Sequence, residues 1–394
     1  MLKEKIFQLA RNLQEEVIKM RRHLHANPEL SFHEYETAAF VKAELGKSGI
    51  TSQTMGTTGV IAIIKGENNS ERVIALRADM DALPIRETNG VPYASSRENI
   101  MHACGHDVHT ASLLGVARIL QSLKGDFGGT VKLIFQPAEE KLPGGAQLLI
   151  QEGVLQNPKP SNVIGQHVSP VIEAGKIAIR KGKFMASMDE LNIRITGKGG
   201  HGAQPHLNID PVLISAHILI ALQQVVSRFA DPALPTVLSF GKVIANGAFN
   251  VIPDEVHMQG TFRTFNEKWR EEAHSLMKKI AQGIAESMGG KCDFDIKRGY
   301  PFLINDEHLS EQVRTFAEEY LGKENVQVAD LWMAAEDFAY YSQATESCFY
   351  LLGIANKEKN LTAALHTSTF DIDEDALMVS TGLMAYVALR QLGN

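Results

Sequence analysis

Cysteine is scarce in this chain: Cys104, Cys292 and Cys348 are the only three in 394 residues, widely spaced and odd in number. That excludes a disulfide framework and points to a reducing compartment. No C-x-x-C pair occurs, so a zinc-ribbon pairing is excluded too. Positive charge is also in deficit, with 39 Lys and Arg against 46 Asp and Glu and a net charge of −7. This balance argues against nucleic acid or an anionic membrane as a partner. No apolar run of about 18 residues suggests a membrane span. Lys3, Lys5, Arg11, Glu15 and Glu16 interrupt the N-terminus, so no secretory signal peptide is expected. The expected location is cytoplasmic. Repeats and low-complexity segments are likewise missing.

What remains is the composition of a soluble globular protein, 44% hydrophobic and 22% charged. At this length two domains are expected. Leu2, Ile6, Leu9, Leu13, Val17, Met20 and Leu24 have helical spacing. Asn27-Pro28 marks a turn. Ser31 with Glu34 three residues on is a capping-box signature for a second helix reaching about Gly49. Residues 59–65 and 73–76 read as strands, as do 130–136 and 162–168. A helix is expected over 110–123.

Between about 183 and 297 the pattern changes. Leu191, Ile193 and Ile195 alternate with polar residues. Helical, strand, strand, helical and strand patterns follow, the β-α-β-β-α-β order of a ferredoxin-like sandwich. Residues 183–297 are therefore expected to be a self-contained insert, with 1–182 and 298–394 forming the discontinuous first domain.

The densest chemistry lies in residues 101–110, MHACGHDVHT. A thiol and several imidazoles there suit zinc, manganese, cobalt or nickel. Two readings of each single histidine stand, ligand or polar turn; the cluster favours metal. Asp79 and Asp81 end a strand, where ligands gather in parallel sheets, although a solvated turn gives the same pattern. Glu139 and Glu140 follow the strand break at Pro137 and, on an extended segment, point opposite ways. One carboxylate can then bind metal while the other serves as a base. His167 ends a strand, either as a ligand or as a packed side chain. In the insert, His201 sits in a glycine-rich loop, with Asn250 between the middle strands and Arg263 near a strand end. Turn formation and strand-rim packing compete with function at all three.

Taken together, RRHLHANPELSFHEYETAAF, RADMDALPI, MHACGHDVHTASLLG, FQPAEE, GQHV, GKGGHGAQPH, AAEDFA and LHTSTFDIDEDAL span nearly the whole chain. In this order they resemble the aminoacylase and carboxypeptidase family of two-metal peptidases. The likeness is greatest to the amidohydrolases that cleave N-acyl amino acids, among them hippurate hydrolases and acetyl-diaminopimelate deacetylases.

The resemblance implies an α/β fold: a mixed, mostly parallel sheet flanked by helices (a phosphorylase/hydrolase-like metallopeptidase domain), with the ferredoxin-like insert as lid and dimerisation domain. It implies two divalent ions (Mn, Zn, Ni or Co) held by Cys104, His106, Glu140, His167 and His366, with Cys104 bridging. Glu139 matches the general base, and His201 a lid histidine that reaches into a partner subunit's site. Asn250 and Arg263 resemble residues that hold the substrate carboxylate. The family's H-x-D motif appears here as Asp79-Met80-Asp81, so both aspartates are expected to orient ligands from behind. His102, Asp107 and His109 are expected to support the turn. The implied partners are a small N-acyl amino acid and a second copy of the chain. A dipeptidase on the same fold, a thiol hydrolase using Cys104 and a non-catalytic metal-binding protein are the rivals.

Overall fold

The structure is a computed structural model and describes residues 2–393. In chain order the elements are α1 (Leu2–Ala26), α2 (Tyr35–Lys47), β1 (Ser52–Met55), β2 (Gly59–Lys65), β3 (Asn68–Asp79), α3 (His106–Ser122), β4 (Gly128–Gln136), α4 (Gly145–Gln151), β5 (Asn162–Glu173) and β6 (Ile177–Ile179). There follow β7 (Asp189–Thr196), α5 (Pro211–Gln224), β8 (Thr236–Ile244), β9 (Glu255–Thr264), α6 (Glu267–Ser287) and β10 (Lys291–Arg298). The chain closes with α7 (Glu307–Leu321), β11 (Val326–Val328), α8 (Ala339–Ala344), β12 (Glu346–Ala355) and α9 (Asp375–Gln391).

Two compact units divide these elements. One takes in residues 2–184, Ile304–Asp330 and 337–393; the other is Met185–Leu303 with Leu331–Glu336. The short Leu331–Glu336 stretch joins the second unit because Ala186 N–H donates to the carbonyls of Trp332 and Ala334.

The first unit is built on an eight-stranded sheet ordered β1-β2-β4-β3-β5-β12-β6-β11. Its middle strands β4, β3, β5 and β12 run parallel, and β2 joins β4 antiparallel. Ile74, Leu76, Val131, Leu133, Ile164 and Leu352 are all buried, as strands covered on both faces require. Helix α1 buries Ile6, Ala10, Val17, Met20 and Leu24 at helical spacing, and the same face carries buried Arg21 and His25.

Two sequence expectations are corrected here. The Ser31/Glu34 pair is no capping box, since neither residue caps α2; Thr37 N–H in its first turn is met by Glu29 Oε2 at 2.8 Å. Ser31 and Glu34 are both buried and point elsewhere. Helix α3 begins at His106 rather than at Thr110, because Gly105 in a left-handed conformation turns the chain straight into it.

The second unit has a four-stranded antiparallel sheet ordered β8-β9-β7-β10, with α5 and α6 packed together. That order is the ferredoxin-like one. Alternation places Leu191, Ile193, Ile195, Val256, Met258 and Phe262 in its core. Asp210 caps α5 by accepting from Val212 and Leu213 N–H, and Pro211 sits where no N–H is needed. Among the described residues, the helical stretch Pro211–Phe229 is long and apolar enough to cross a membrane by length and composition, contrary to the expectation of no such run. Ile214, Ile218 and Leu222 of this stretch pack into the unit's core, while Val212, Leu213, Ile220 and Phe229 are exposed.

Candidate metal centre

Four sheet-end segments of the first unit converge. Strand β3 delivers Asp79 and then Asp81, and α3 delivers His106 in its first turn just after Cys104. The turn beyond β4 carries Glu139 and Glu140, and His167 stands on β5. His366 arrives from the segment after β12, anchored by its N–H to Ala103 O at 2.8 Å. Gly105 is required at its position: its φ is +82°, and a Cβ there would lie 2.4 Å from Val168 Cγ2.

Cys104 Sγ lies 3.4 Å from His167 Nε2 and 3.3 Å from His366 Nε2, which is 3.2 Å from Glu140 Oε1. Three overlapping groups form: Cys104, His106 and His167; Cys104, Glu140 and His366; and His106, Glu139 and Glu140. Within each group the ligand atoms lie within 4.8 Å of one another. The structure thus brings together the six residues singled out in this unit by the family motifs.

The tautomers follow from the groups behind. His106 Nδ1–H donates to Asp81 O at 2.9 Å, with Asp81 Oδ1 at 3.2 Å, which turns Nε2 toward the cluster. His109 Nδ1–H donates to Asp79 Oδ1 at 2.6 Å, while its Nε2 accepts Val168 N–H at 3.0 Å. His167 Nδ1–H donates to Val168 O at 2.7 Å, so its Nε2 faces Cys104. Asp79 also binds Arg77 at 2.5 Å, and Arg77 reaches Asp337 at 2.7 Å. Asp79 is within ligand reach of His106 and His109, yet Arg77 and His109 already occupy its two oxygens. Asp81 accepts from Ser31 Oγ–H, Glu139 N–H and Glu140 N–H at 2.6, 3.1 and 2.9 Å.

Two buried atoms of this cluster, His106 Nε2 and Glu140 Oε1, have no hydrogen-bond partner. Buried polar atoms are ordinarily paired. A divalent ion would satisfy both, and a thiol, imidazoles and carboxylates form a donor set suited to zinc, manganese, cobalt or nickel. The residues present therefore fit such a group.

The electrostatics agree. Burial alone would depress the His106 imidazole, but Asp79, Asp81 and Glu140 outweigh it and raise it to about 10. Burial, then the charges of Glu140 and Glu139, hold the Cys104 thiol well above its usual range. Burial and neighbouring His109 push His167 down to about 3. His102 is buried with both ring nitrogens unpaired, and burial takes it down to about 4. Asp107 accepts from Arg21 Nε–H at 2.8 Å and His25 Nδ1–H at 2.7 Å, and Arg21 also reaches Asp371 at 2.9 Å.

Arg21, Arg77, Asp337 and Asp371 lie within the family motifs, but the sequence alone assigned none of them a role. Arg21 and His25 did leave a trace, as charged residues four apart on the apolar side of α1.

His201, Asn250 and Arg263 belong to the second unit. His201 is exposed and pairs with Val251 in a two-residue ladder, next to Asn250, whose carbonyl accepts Gly202 N–H at 2.8 Å. His201 Nδ1 accepts Ala203 N–H at 3.0 Å, so the neutral ring carries its proton on Nε2. Arg263 is partly buried and donates to Met333 O at 2.8 Å.

A mostly parallel sheet with a thiol, imidazole and carboxylate cluster at its strand ends is a place where ligands gather, and the donor set suits a divalent ion. Residues 75–390 match the model of Peptidase family M20/M25/M40. The chain belongs to this family and is an amide-bond hydrolase. It is 46% identical over 306 residues to an N-acyl-L-amino acid amidohydrolase of Geobacillus stearothermophilus, covering 77% of this chain and 82% of that one. It is 37% identical over 393 residues to thermostable carboxypeptidase 2 of Saccharolobus solfataricus, covering 99% and 98%. The crystal structure of the Bacillus subtilis YXEP protein, a dinuclear metal binding peptidase from the M20 family, superposes with a TM-score of 0.82 at 36% identity, covering 97% and 99%.

Proposed function

We propose that the protein hydrolyses N-acyl-L-amino acids to a carboxylic acid and a free amino acid, using two divalent ions held by Cys104, His106, Glu140, His167 and His366. The observation that carries this reading is the convergence of Cys104, His106, Glu139, Glu140, His167 and His366, with the buried His106 Nε2 left without a hydrogen bond among them. Bound ions supply Lewis acidity and a water acidic enough to attack near neutral pH. Glu139, in the same turn as Glu140, takes the proton of the attacking water and returns it to the leaving nitrogen. His201 donates from Nε2–H to the carbonyl oxygen as charge develops there. Arg263, with Asn250, binds the amino acid's carboxylate, and Asp79 and Asp81 orient the histidines from behind.

The exposed apolar residues Val212, Leu213, Ile220 and Phe229 support docking of a second copy through the second unit, with His201 serving the partner's site. Two inactive variants, His201→Ala and Glu139→Gln, are then expected to regain activity when mixed and allowed to exchange subunits. No recovery in mixtures shown to exchange removes the trans role.

Metal analysis followed by a hydrolysis panel of acetyl, benzoyl and longer acyl amino acids, acetyl-diaminopimelate and dipeptides tests the central reading. Turnover of acyl amino acids is expected. The carboxypeptidase relative favours a second reading, in which dipeptides are turned over instead. A thiol mechanism is disfavoured because His167, His366 and Glu140 gather around the Cys104 thiol as metal ligands would.

A further inference from the structure

One buried carboxylate outside the cluster stands out for what it holds. Glu34 is fully buried, and its Oε1 accepts two backbone N–H groups, from Phe32 at 3.0 Å and from Ala138 at 2.8 Å. Its Oε2 accepts Thr58 Oγ1–H at 2.6 Å. Phe32 and Ala138 are both left-handed, with φ of +69° and +52°. Side chains other than glycine adopt that conformation only when their surroundings hold them in it.

Ala138 immediately precedes Glu139 and Glu140. The three successive N–H groups of Ala138, Glu139 and Glu140 point at Glu34 Oε1, Asp81 Oδ1 and Asp81 Oδ2. Such a run of N–H groups forms a concave, positively polarised nest. Here the chain fills it with its own carboxylates. Ala138 is fully buried, so without Glu34 its N–H would have no water to turn to. The peptide would relax toward negative φ, and the Glu139 side chain would swing with it. Glu34 serves no cap of α2, because Glu29 takes that role.

We infer that Glu34 is a positioning residue: by pinning the left-handed Ala138 it aims Glu139 for proton transfer. The inference rests on the reading of Glu139 as the base. A misplacement of about 1 Å in such a group costs on the order of 10²-fold in rate.

The test compares Glu34→Asp, Glu34→Ala and Glu34→Gln in the metal-loaded enzyme, on whichever N-acyl amino acid of the panel the wild type hydrolyses. Glutamine keeps the carbonyl oxygen that both N–H groups need, so kcat should stay within about fivefold of wild type. Aspartate is too short to reach Ala138, and alanine offers nothing. Both should lose about 10–100-fold in kcat with KM within about threefold. Adding Ala138→Gly to Glu34→Asp should recover several-fold of that loss, because glycine is left-handed without cost. Amide exchange in the peptide spanning 134–142 should quicken in Glu34→Asp.

Wild-type kcat in Glu34→Asp, a change in KM alone, or an equal loss in Glu34→Gln overturns the inference. Should Glu34→Ala prove too unstable to purify, Glu34→Asp carries the test, since it keeps a buried carboxylate. Glu139→Gln separates the two levels. If it retains full turnover, the reading of the base fails and the positioning role with it. If it is inactive while Glu34→Asp behaves as wild type, only the positioning role fails.

Discussion

The two units each bury a charged knot, and they finish it differently. In the second unit Arg270 donates to Asp189 through Nε and Nη2, to Glu267, and to the carbonyls of Met188 and Gly299. Asp189 accepts in addition from His274 and Gly299 N–H. Among the described residues, no charged atom of that knot is left unpaired. In the first unit the knots around Arg21 and Arg77 end on residues next to or behind the cluster, and buried atoms of His102, His106, Asp107 and Glu140 have no hydrogen bond. Buried charge that closes on itself serves the fold. Of the unpaired buried atoms in the first unit, His106 Nε2 and Glu140 Oε1 lie within the candidate metal cluster.

The strongest way to break this contrast is Glu139→Gln. Kcat is expected to fall by about 10²–10⁴-fold while metal content stays near wild type, read by steady-state assay and elemental analysis. Full activity would mean that the open cluster is not the reacting centre.

Next come Arg21→Met and Arg270→Met. Each strands buried carboxylates, Asp107 and Asp371 in one case and Asp189 in the other. Each should cost about 3–5 kcal/mol in denaturant unfolding. They should part on metal: Asp107 adjoins His106 and Asp371 follows His366 by five residues, so Arg21→Met should lose metal and Arg270→Met should keep it. Equal retention in both would erase the distinction.

The smallest effect is one of pH. In the metal-free protein the His106 imidazole, raised to about 10, and the Cys104 thiol, held well above its usual range, both keep their protons at neutral pH. If His106 and Cys104 are ligands as proposed, an incoming ion displaces those protons, so affinity should climb as pH rises, by about tenfold per unit for each proton released. Calorimetry of zinc binding in buffers of different ionisation heat counts those protons. An affinity flat from about pH 6.5 to 8.5 contradicts the assignment.

Much of this was legible in the residues. Long elements with strong period showed themselves, β2 at the same ends, Gly59–Lys65, and α1 nearly so. The missed ones are short or glycine-rich. Strands β1, β6 and β11 have four, three and three residues, too few to display a period, and α4 hides behind Gly144-Gly145. The cluster was readable because its residues fall at strand ends within recognisable motifs. The carboxylates behind it were not. Ser31 and Glu34 carry a local helix-start signature, and only tertiary packing turns them toward Asp81 and Ala138. Local and long-range hydrogen bonding compete for the same side chains, and the long-range partners won.

The sheet order also sets a timetable for synthesis. Strand β12 lies between β5 and β6, although it is made after the whole second unit. The four strands of that unit are contiguous in the chain and can pair as they leave the ribosome. The first unit's sheet must wait with a gap at its middle until residues 346–355 emerge. His366 and Asp371 come later still, leaving Arg21 and Cys104 without those neighbours until the last stretch is made. The nascent chain therefore keeps an unpaired β5 edge beside the candidate metal ligands until its last stretch is made.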